Sequence, residues 1–274
     1  MSKSAVVIGL ILVGVFTFVW IIRRWAGTQD AGRMAPSSSP KVQATVPSKL
    51  AGLKRKAWVP RTEKGDGPVT TSKFSGIPWL SADEAWPACP NCRKPMQLFV
   101  QLSLPDLPAR PEGCPDRGLV QLFYCTTQEP MCEFDCEAYA PFSKSVLVRI
   151  VEPSGSPSAI AASPVPGAFP PRRIVGWDAR DDFPNWEEAK ERGVELTDEE
   201  ADADRINGEK LLGWPDWVQG VEYPKCPDCG QRMQLLFQID SEKNLPYMFG
   251  DVGCGHITQC PRHPTRLAFA WACG

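Results

Sequence analysis

The residues with the clearest chemical potential in this 274-residue sequence are its 11 cysteines. Two pairs have the Cys-x-x-Cys spacing: Cys89 and Cys92 in CPNC, and Cys226 and Cys229 in CPDC. A tight turn with this spacing directs two thiolates at one tetrahedral metal ion, most often Zn2+. We therefore predict structural zinc as a cofactor, bound by at least one of the two motifs.

A complete tetrahedral site needs two further ligands beside each motif. Cys260 and His263 follow the second motif as a C-x2-H pair, and Cys125 and Cys132 follow the first as a looser C-x6-C pair. The predicted metal ligands are therefore Cys89, Cys92, Cys125 and Cys132 in one site, and Cys226, Cys229, Cys260 and His263 in the other. Cys136 or Cys114 could substitute for a ligand in the first site, and Cys254 and Cys273 are spare candidates in the second. Which of Cys114, Cys132, Cys136, Cys254 and Cys273 are ligands therefore stays open.

Three other uses of the cysteines stay open from the sequence. They are a disulfide framework in an oxidising compartment, a thioredoxin-like redox site, and buried thiols without a ligand. The odd count of 11 disfavours complete disulfide pairing. A redox motif begins a helix, whereas both motifs here run into predicted strands.

Familiar catalytic motifs are absent from the sequence, which has no GxxxxGK[ST], GxSxG or HExxH pattern. Cys254 with His256, or Cys260 with His263, could pair as nucleophile and base, but no third group that would orient the base is evident. We therefore predict no catalytic residues and a module that binds a protein partner. A cysteine- or metal-dependent enzyme of unknown substrate is the alternative.

The composition narrows the class of partner. The formal net charge is -2 at pH 7, whereas a nucleic-acid binder normally carries a basic face. The 10 tryptophans favour a protein partner, because tryptophan is enriched among residues that dominate binding energy at protein interfaces.

The N-terminal region predicts a membrane attachment. Residues 5–22 (AVVIGLILVGVFTFVWII) are 18 uncharged, mostly apolar residues. As a helix they would span about 27 Å, close to a hydrocarbon core. We predict a transmembrane anchor over residues 1–26 and a flexible Pro/Ser-rich linker over 27–60. More Lys and Arg follow the segment than precede it, which predicts a single-pass inner (cytoplasmic) membrane protein whose body faces the cytoplasm.

An internal repeat positions the two motifs. The segment WPACPNCRKPMQLFVQLSLPDLP at 86–108 matches YPKCPDCGQRMQLLFQIDSEKNLP at 223–246. After each motif, Gln alternates with apolar residues, which is typical of a strand, so strands are predicted over 96–104 and 233–240. The predicted fold class is mainly β (α+β). It consists of a duplicated compact domain of two related halves (61–176 and 177–274) with short peripheral helices, after one N-terminal transmembrane helix.

The sequence resembles the YwqG-like family of bacterial proteins of unknown function. The resemblance is carried by LLGWPDWVQG at 211–220, YMFGDVGCGHITQCPRHP at 247–264 and GLVQLFYCT at 118–126, and it covers about residues 73–274. It implies a single compact, duplicated, mainly β body and no established activity. The family's occurrence near polymorphic-toxin loci implies immunity or partner binding. Neither the metal ligands nor the anchor follows from the resemblance.

Overall fold

Antiparallel strands dominate the part of the chain that the computed structural model describes, residues 48–201 and 205–274, with the side chain of Glu199 excepted. The strands are β1 (Arg55–Lys64), β2 (Lys73–Phe74), β3 (Gln97–Ser103), β4 (Leu119–Tyr124), β5 (Val146–Val151), β6 (Arg172–Asp182), β7 (Lys210–Leu212), β8 (Gln234–Asp240), β9 (Cys254–Gln259) and β10 (Leu267–Ala272). The helices are α1 (Cys132–Asp135), α2 (Trp186–Glu191) and α3 (Asp198–Ala201), with short 3-10 turns at Ser48–Leu53 and Leu104–Asp106.

Within the described ranges, all ten strands form one sheet in the order β10-β9-β8-β7-β1-β6-β2-β3-β4-β5. Its long central strands, β1 and β6, pair along their whole length. The first arm, β2–β5, extends from β6, and the second arm, β7–β10, extends from β1. The outermost strands β5 and β10 contact each other, so the sheet curls until its two ends nearly meet.

The predicted fold class is wrong. That class was a mainly β (α+β) duplicated domain of two related halves after one N-terminal transmembrane helix, whereas the described residues form a single, nearly closed antiparallel sheet with few helices, each of four or six residues. No helix in this part of the chain is long and apolar enough to cross a membrane. The predicted anchor over residues 1–26 lies outside the described residues.

A shared core explains why the two arms form one sheet. Aromatic residues of both arms pack together, with ring centroids of Phe74 and Phe237 6.0 Å apart and those of Phe99 and Phe249 6.0 Å apart. Every residue of β3 and of β4 is buried. Burying such surfaces is the main favourable term in folding, and each arm buries its apolar face against the other.

Two buried ion pairs recur at matching places in the arms. On β2, the ammonium of Lys73 bonds to the carboxylate of Asp66, and on β7, Lys210 Nζ lies 3.0 Å from Asp182 Oδ2. Both lysines are almost fully buried. Removing one partner of such a pair leaves a buried charge without compensation, which is strongly destabilising. The pairs therefore fasten both arms to the ends of the central strands.

A second type of contact, made by a buried glutamine, occurs once in each arm. Gln101 on β3 and Gln238 on β8 each use the side-chain oxygen to accept a backbone N–H and the side-chain nitrogen to donate to a backbone carbonyl. The N–H groups belong to Trp79 and Asp216, and the carbonyls to Thr71 and Gly208. Because each amide is satisfied on both sides, it connects its strand to the loop beside it without the cost of an unpaired polar group. These loops lead into the Cys-x-x-Cys turns.

Candidate metal centre

Each Cys-x-x-Cys motif lies in a tight turn directly before a strand, β3 or β8. In the first turn the Arg93 N–H donates to the Cys89 carbonyl at 2.7 Å, and in the second the Gly230 N–H donates to the Cys226 carbonyl at 2.8 Å. Both donors have a left-handed backbone, with φ of 61° for Arg93 and 70° for Gly230. Glycine adopts this conformation freely, whereas Arg93 adopts it at an energetic cost. The two turns therefore have the same geometry despite the sequence difference.

The first predicted group is brought together by three elements. The turn supplies Cys89 and Cys92, the residue after β4 is Cys125, and Cys132 begins α1. The Cys92 and Cys125 sulfurs are 3.7 Å apart, and the Cys89 and Cys132 sulfurs are 3.9 Å apart. In a tetrahedron with zinc–sulfur bonds of about 2.3 Å, the sulfur–sulfur edge is about 3.8 Å. The spacing therefore suits one tetrahedral ion.

The second predicted group has the same arrangement with one imidazole. Cys229 Sγ lies 3.6 Å from Cys260 Sγ, and Cys226 Sγ lies 3.5 Å from Nδ1 of His263. The second sulfur–nitrogen distance, from Cys260 Sγ to Nδ1 of His263, is 4.0 Å, so these distances lie near the edge lengths of a tetrahedron around one ion. His263 would act through Nδ1, because that nitrogen faces the sulfurs.

In each group, all four ligand atoms lie within 4.8 Å of one another, and each group could hold a metal ion. Three ligands of each group come from equivalent places, namely the turn and the residue after the paired strand. The fourth ligand differs: His263 follows Cys260 by three residues, whereas Cys132 arrives from α1. The looser C-x6-C spacing of the first group therefore reflects a longer loop between Cys125 and Cys132. That loop brings Cys132 back to the turn that holds Cys89 and Cys92.

Hydrogen bonds favour the thiolate form of one cysteine in each group, Cys92 and Cys260, whereas burial raises the pKa values of Cys125 and Cys132. Burial alone would raise the pKa of the Cys92 thiol, but hydrogen bonds from the Lys94 backbone and from Thr127 lower that pKa to about 7. Burial likewise opposes ionisation of Cys260, and the backbone N–H of His263, donating to its sulfur at 3.3 Å, contributes to a lowered pKa. A metal ligand must be deprotonated, so these contacts prepare Cys92 and Cys260 to bind a cation.

Two contacts to the sulfurs escaped the sequence analysis. Asn91 Nδ2 lies 3.4 Å from Cys132 Sγ, and Thr127 Oγ1 lies 3.6 Å from Cys92 Sγ. Such neighbours orient ligands and tune the metal. The position of Asn91 inside the CPNC motif is a weak sequence signal for its contact, whereas nothing in the sequence places Thr127 beside the turn.

The remaining four cysteines lie outside both groups. Burial raises the pKa of Cys114 to about 11 and that of Cys254 well above its usual value. Cys136 packs beside the first group, and Cys273 packs against the main core. All eleven cysteines lie within the described residues, and none forms a disulfide.

The two possible nucleophile–base pairs are poorly arranged for catalysis. Cys254 Sγ is 3.8 Å from Nε2 of His256, and both side chains are buried. Burial, together with the nearby charge of Lys210, lowers the pKa of His256 to about 3. A histidine with that pKa is a weak base, and the other predicted pair, Cys260 with His263, belongs to the second metal group.

Comparison with known proteins identifies the family of this chain. The family described as Domain of unknown function (DUF1963) matches residues 72–269, a range that contains both metal groups. That description does not name the YwqG-like family. A comparison with curated proteins gives no match. Because the matching range spans most of the chain, this protein belongs to the DUF1963 family.

Proposed function

We propose that this protein is a protein-interaction module whose body is held together by two structural zinc ions. The proposal rests on one observation, that each group offers four protein ligand atoms within 4.8 Å of one another. Four protein ligands complete a tetrahedral zinc site, whereas a catalytic zinc keeps one position for water or substrate. The arrangement therefore favours a structural role over the metal-dependent enzyme.

The chemistry of the ligands supports zinc. Thiolates and imidazoles select soft or borderline ions, and tetrahedral sets of this type suit zinc or iron, whereas magnesium and calcium prefer oxygen ligands. In the first site the ion would join the turn before β3, the end of β4 and α1. In the second it would join the turn before β8 to the end of β9. Binding free energy at such sites is also folding free energy, because the unfolded chain has no preformed site.

The interaction role would use the rigid surface that the two ions create. An immunity-type protein that neutralises a toxin is one version of this role, suggested by the resemblance described above. Zinc-stiffened turns at the ends of strands would hold neighbouring loops in a fixed shape, and a preorganised surface loses less entropy when it binds.

Elemental analysis of the full-length protein, purified under reducing conditions, tests the zinc proposal. We expect two zinc ions per chain. The variants Cys92→Ser and Cys229→Ser should each retain one, because each removes a ligand from a different group. Cys114→Ser is the matched control, since Cys114 is a half-buried cysteine outside both groups, and it should retain two. A wild-type protein that is stably folded without metal would contradict the proposal. Equal zinc content in Cys92→Ser, Cys229→Ser and Cys114→Ser would also contradict it.

A further inference from the structure

Exposed apolar side chains concentrate in one loop. The β4–β5 loop (residues 125–145) carries four of the eight large apolar side chains that are exposed among the described residues. They are Met131, Phe134, Tyr139 and Phe142. Clustered exposed apolar residues with polar neighbours mark interaction sites in soluble domains. The same loop supplies Cys132 to the first metal group.

Phe134 and Phe142 line an open cleft of about 510 Å3 within this loop, which we call the loop cleft. Phe134 is 58% exposed and Phe142 is 48% exposed, so a bound partner could cover much of both rings. The volume lies in the range of pockets that bind a side chain or a small ligand. Aromatic residues beside such a pocket are typical of the positions that dominate binding energy at interfaces.

The backbone of the loop keeps these rings exposed. Glu137 and Phe142 have left-handed backbones, with φ of 50° and 65°, which is costly for residues other than glycine. The hydroxyl of Ser143 donates to the Cys136 carbonyl at 2.6 Å, and Ala138 is fully buried. Strained residues persist where the surroundings hold them, and such strain clusters at ligand clamps. The loop therefore presents Phe142 in a fixed position.

The charges of the cleft indicate which partner would fit. Asp135 and Glu137 line it with one cation, Lys144, and all three are exposed. Carboxylates beside exposed aromatic rings attract a cationic partner and repel the phosphates of nucleic acids and anionic lipids. The chemistry therefore favours a protein segment that carries an apolar side chain next to Lys or Arg.

We propose that the loop cleft binds a basic, apolar segment of the protein partner, with one apolar side chain between Phe134 and Phe142 and a neighbouring cation beside Asp135 and Glu137. This inference rests on the proposed function, since it assigns the binding surface of the same module. The first metal group would support the cleft through Cys132, which lies only two residues before Phe134.

Selection from a random 12-residue peptide library displayed on phage tests this assignment. The immobilised target is the full-length protein, whose zinc content is measured on the same sample. We expect selected sequences to place Leu, Ile or an aromatic residue beside Lys or Arg. Their affinity should fall at least tenfold for the Phe134→Ser/Phe142→Ser variant and stay unchanged for Trp186→Ser. Trp186 is a matched control, because it is 50% exposed and lies on α2.

A second variant keeps the assignment testable if the serine substitutions disturb the loop. Asp135→Lys/Glu137→Lys changes only exposed side chains, and it should weaken the basic peptides at least tenfold. Selected peptides without basic residues, or peptides that bind the serine variant and the wild type equally, would overturn the assignment. A sample with two zinc ions that selects no peptide would overturn the loop cleft alone. A sample without zinc would instead contradict the zinc-stabilised module.

Discussion

Glu133 connects the metal-bearing loop to the core, which makes it the most informative residue to change. Its Oε1 accepts a hydrogen bond from the hydroxyl of Tyr124 at 2.9 Å and from the hydroxyl of Tyr247 at 2.8 Å. Tyr124 in turn accepts a hydrogen bond from Trp271 Nε1 at 2.9 Å. One carboxylate on α1 thus links β4, the loop after β8 and the outermost strand β10. We expect Glu133→Ala to destabilise the closure of the sheet.

The size of the effect follows from the two bonds. Burial raises the pKa of both tyrosines far above the usual range, so both hydroxyls stay protonated donors. A hydrogen bond to a charged group contributes about 1.5–3 kcal/mol, and an unpaired buried donor costs a similar amount. Glu133 is half-buried, so water can replace part of the loss. We expect Glu133→Ala to lower the free energy of unfolding by about 2–4 kcal/mol.

Urea unfolding of the full-length protein measures this change. Tyr247→Phe removes one of the two bonds and should cost about 1–2 kcal/mol. Combined with Glu133→Ala it should add little, because the two residues share that bond. Glu137→Ala, an exposed glutamate in the same loop, should change the free energy by less than about 0.5 kcal/mol. A Glu133→Ala protein as stable as the Glu137→Ala protein would refute the reasoning, as would full additivity of the two changes.

Two further predictions concern buried titratable side chains. Lys210→Ala leaves Asp182 buried without its cation, and should lower the free energy of unfolding by about 3–5 kcal/mol in urea; Lys73→Ala should cost less, because Asp66 is 28% exposed, and the reverse order would count against the argument. The pKa of His256 in the folded protein is lowered to about 3, below the unfolded value near 6.5. Between these two pH values, the protein takes up a proton when it unfolds. Its stabilising contribution is present above about pH 6.5 and is lost as pH falls toward 3, by about 2 kcal/mol at pH 5. His256→Gln should remove that part of the pH dependence between pH 7 and 5 in urea unfolding, and unchanged slopes would show that His256 takes up no proton on unfolding.

Local patterns predict some strands far better than others. The Gln-and-apolar alternation predicts strands over 96–104 and 233–240, and the structure has β3 at Gln97–Ser103 and β8 at Gln234–Asp240. The central pair has no such pattern. The β1 segment, RKAWVPRTEK, starts inside the segment predicted as linker, and β6 is rich in charge. Several charged side chains on these strands face solvent and pair across the sheet, as Lys56 does with Asp181. Apolar periodicity therefore cannot reveal the two strands.

The candidate metal groups were accessible from sequence for a physical reason. Four of the eight ligands sit in Cys-x-x-Cys turns, whose spacing alone sets the geometry, and Cys260 and His263 are three residues apart. Cys125 and Cys132 depend on the fold, because β4 must pair with β3 to bring Cys125 to the turn. The ion pairs of Lys73 and Lys210 depend on pairing across long distances in sequence. Residue types alone do not predict them.

The sheet order also determines when each strand's partner becomes available during synthesis. Thr62 on β1 contacts Arg172 on β6, which is 110 residues later in the chain. At a synthesis rate of about 5–20 residues per second, β6 is made roughly 5–20 s after β1, the strand beside which it lies. The four ligands of the first metal group, ending with Cys132, are all made before β6. An ion captured during that interval would organise the β3–β4 hairpin while the growing chain still lacks β6, the second of its two central strands.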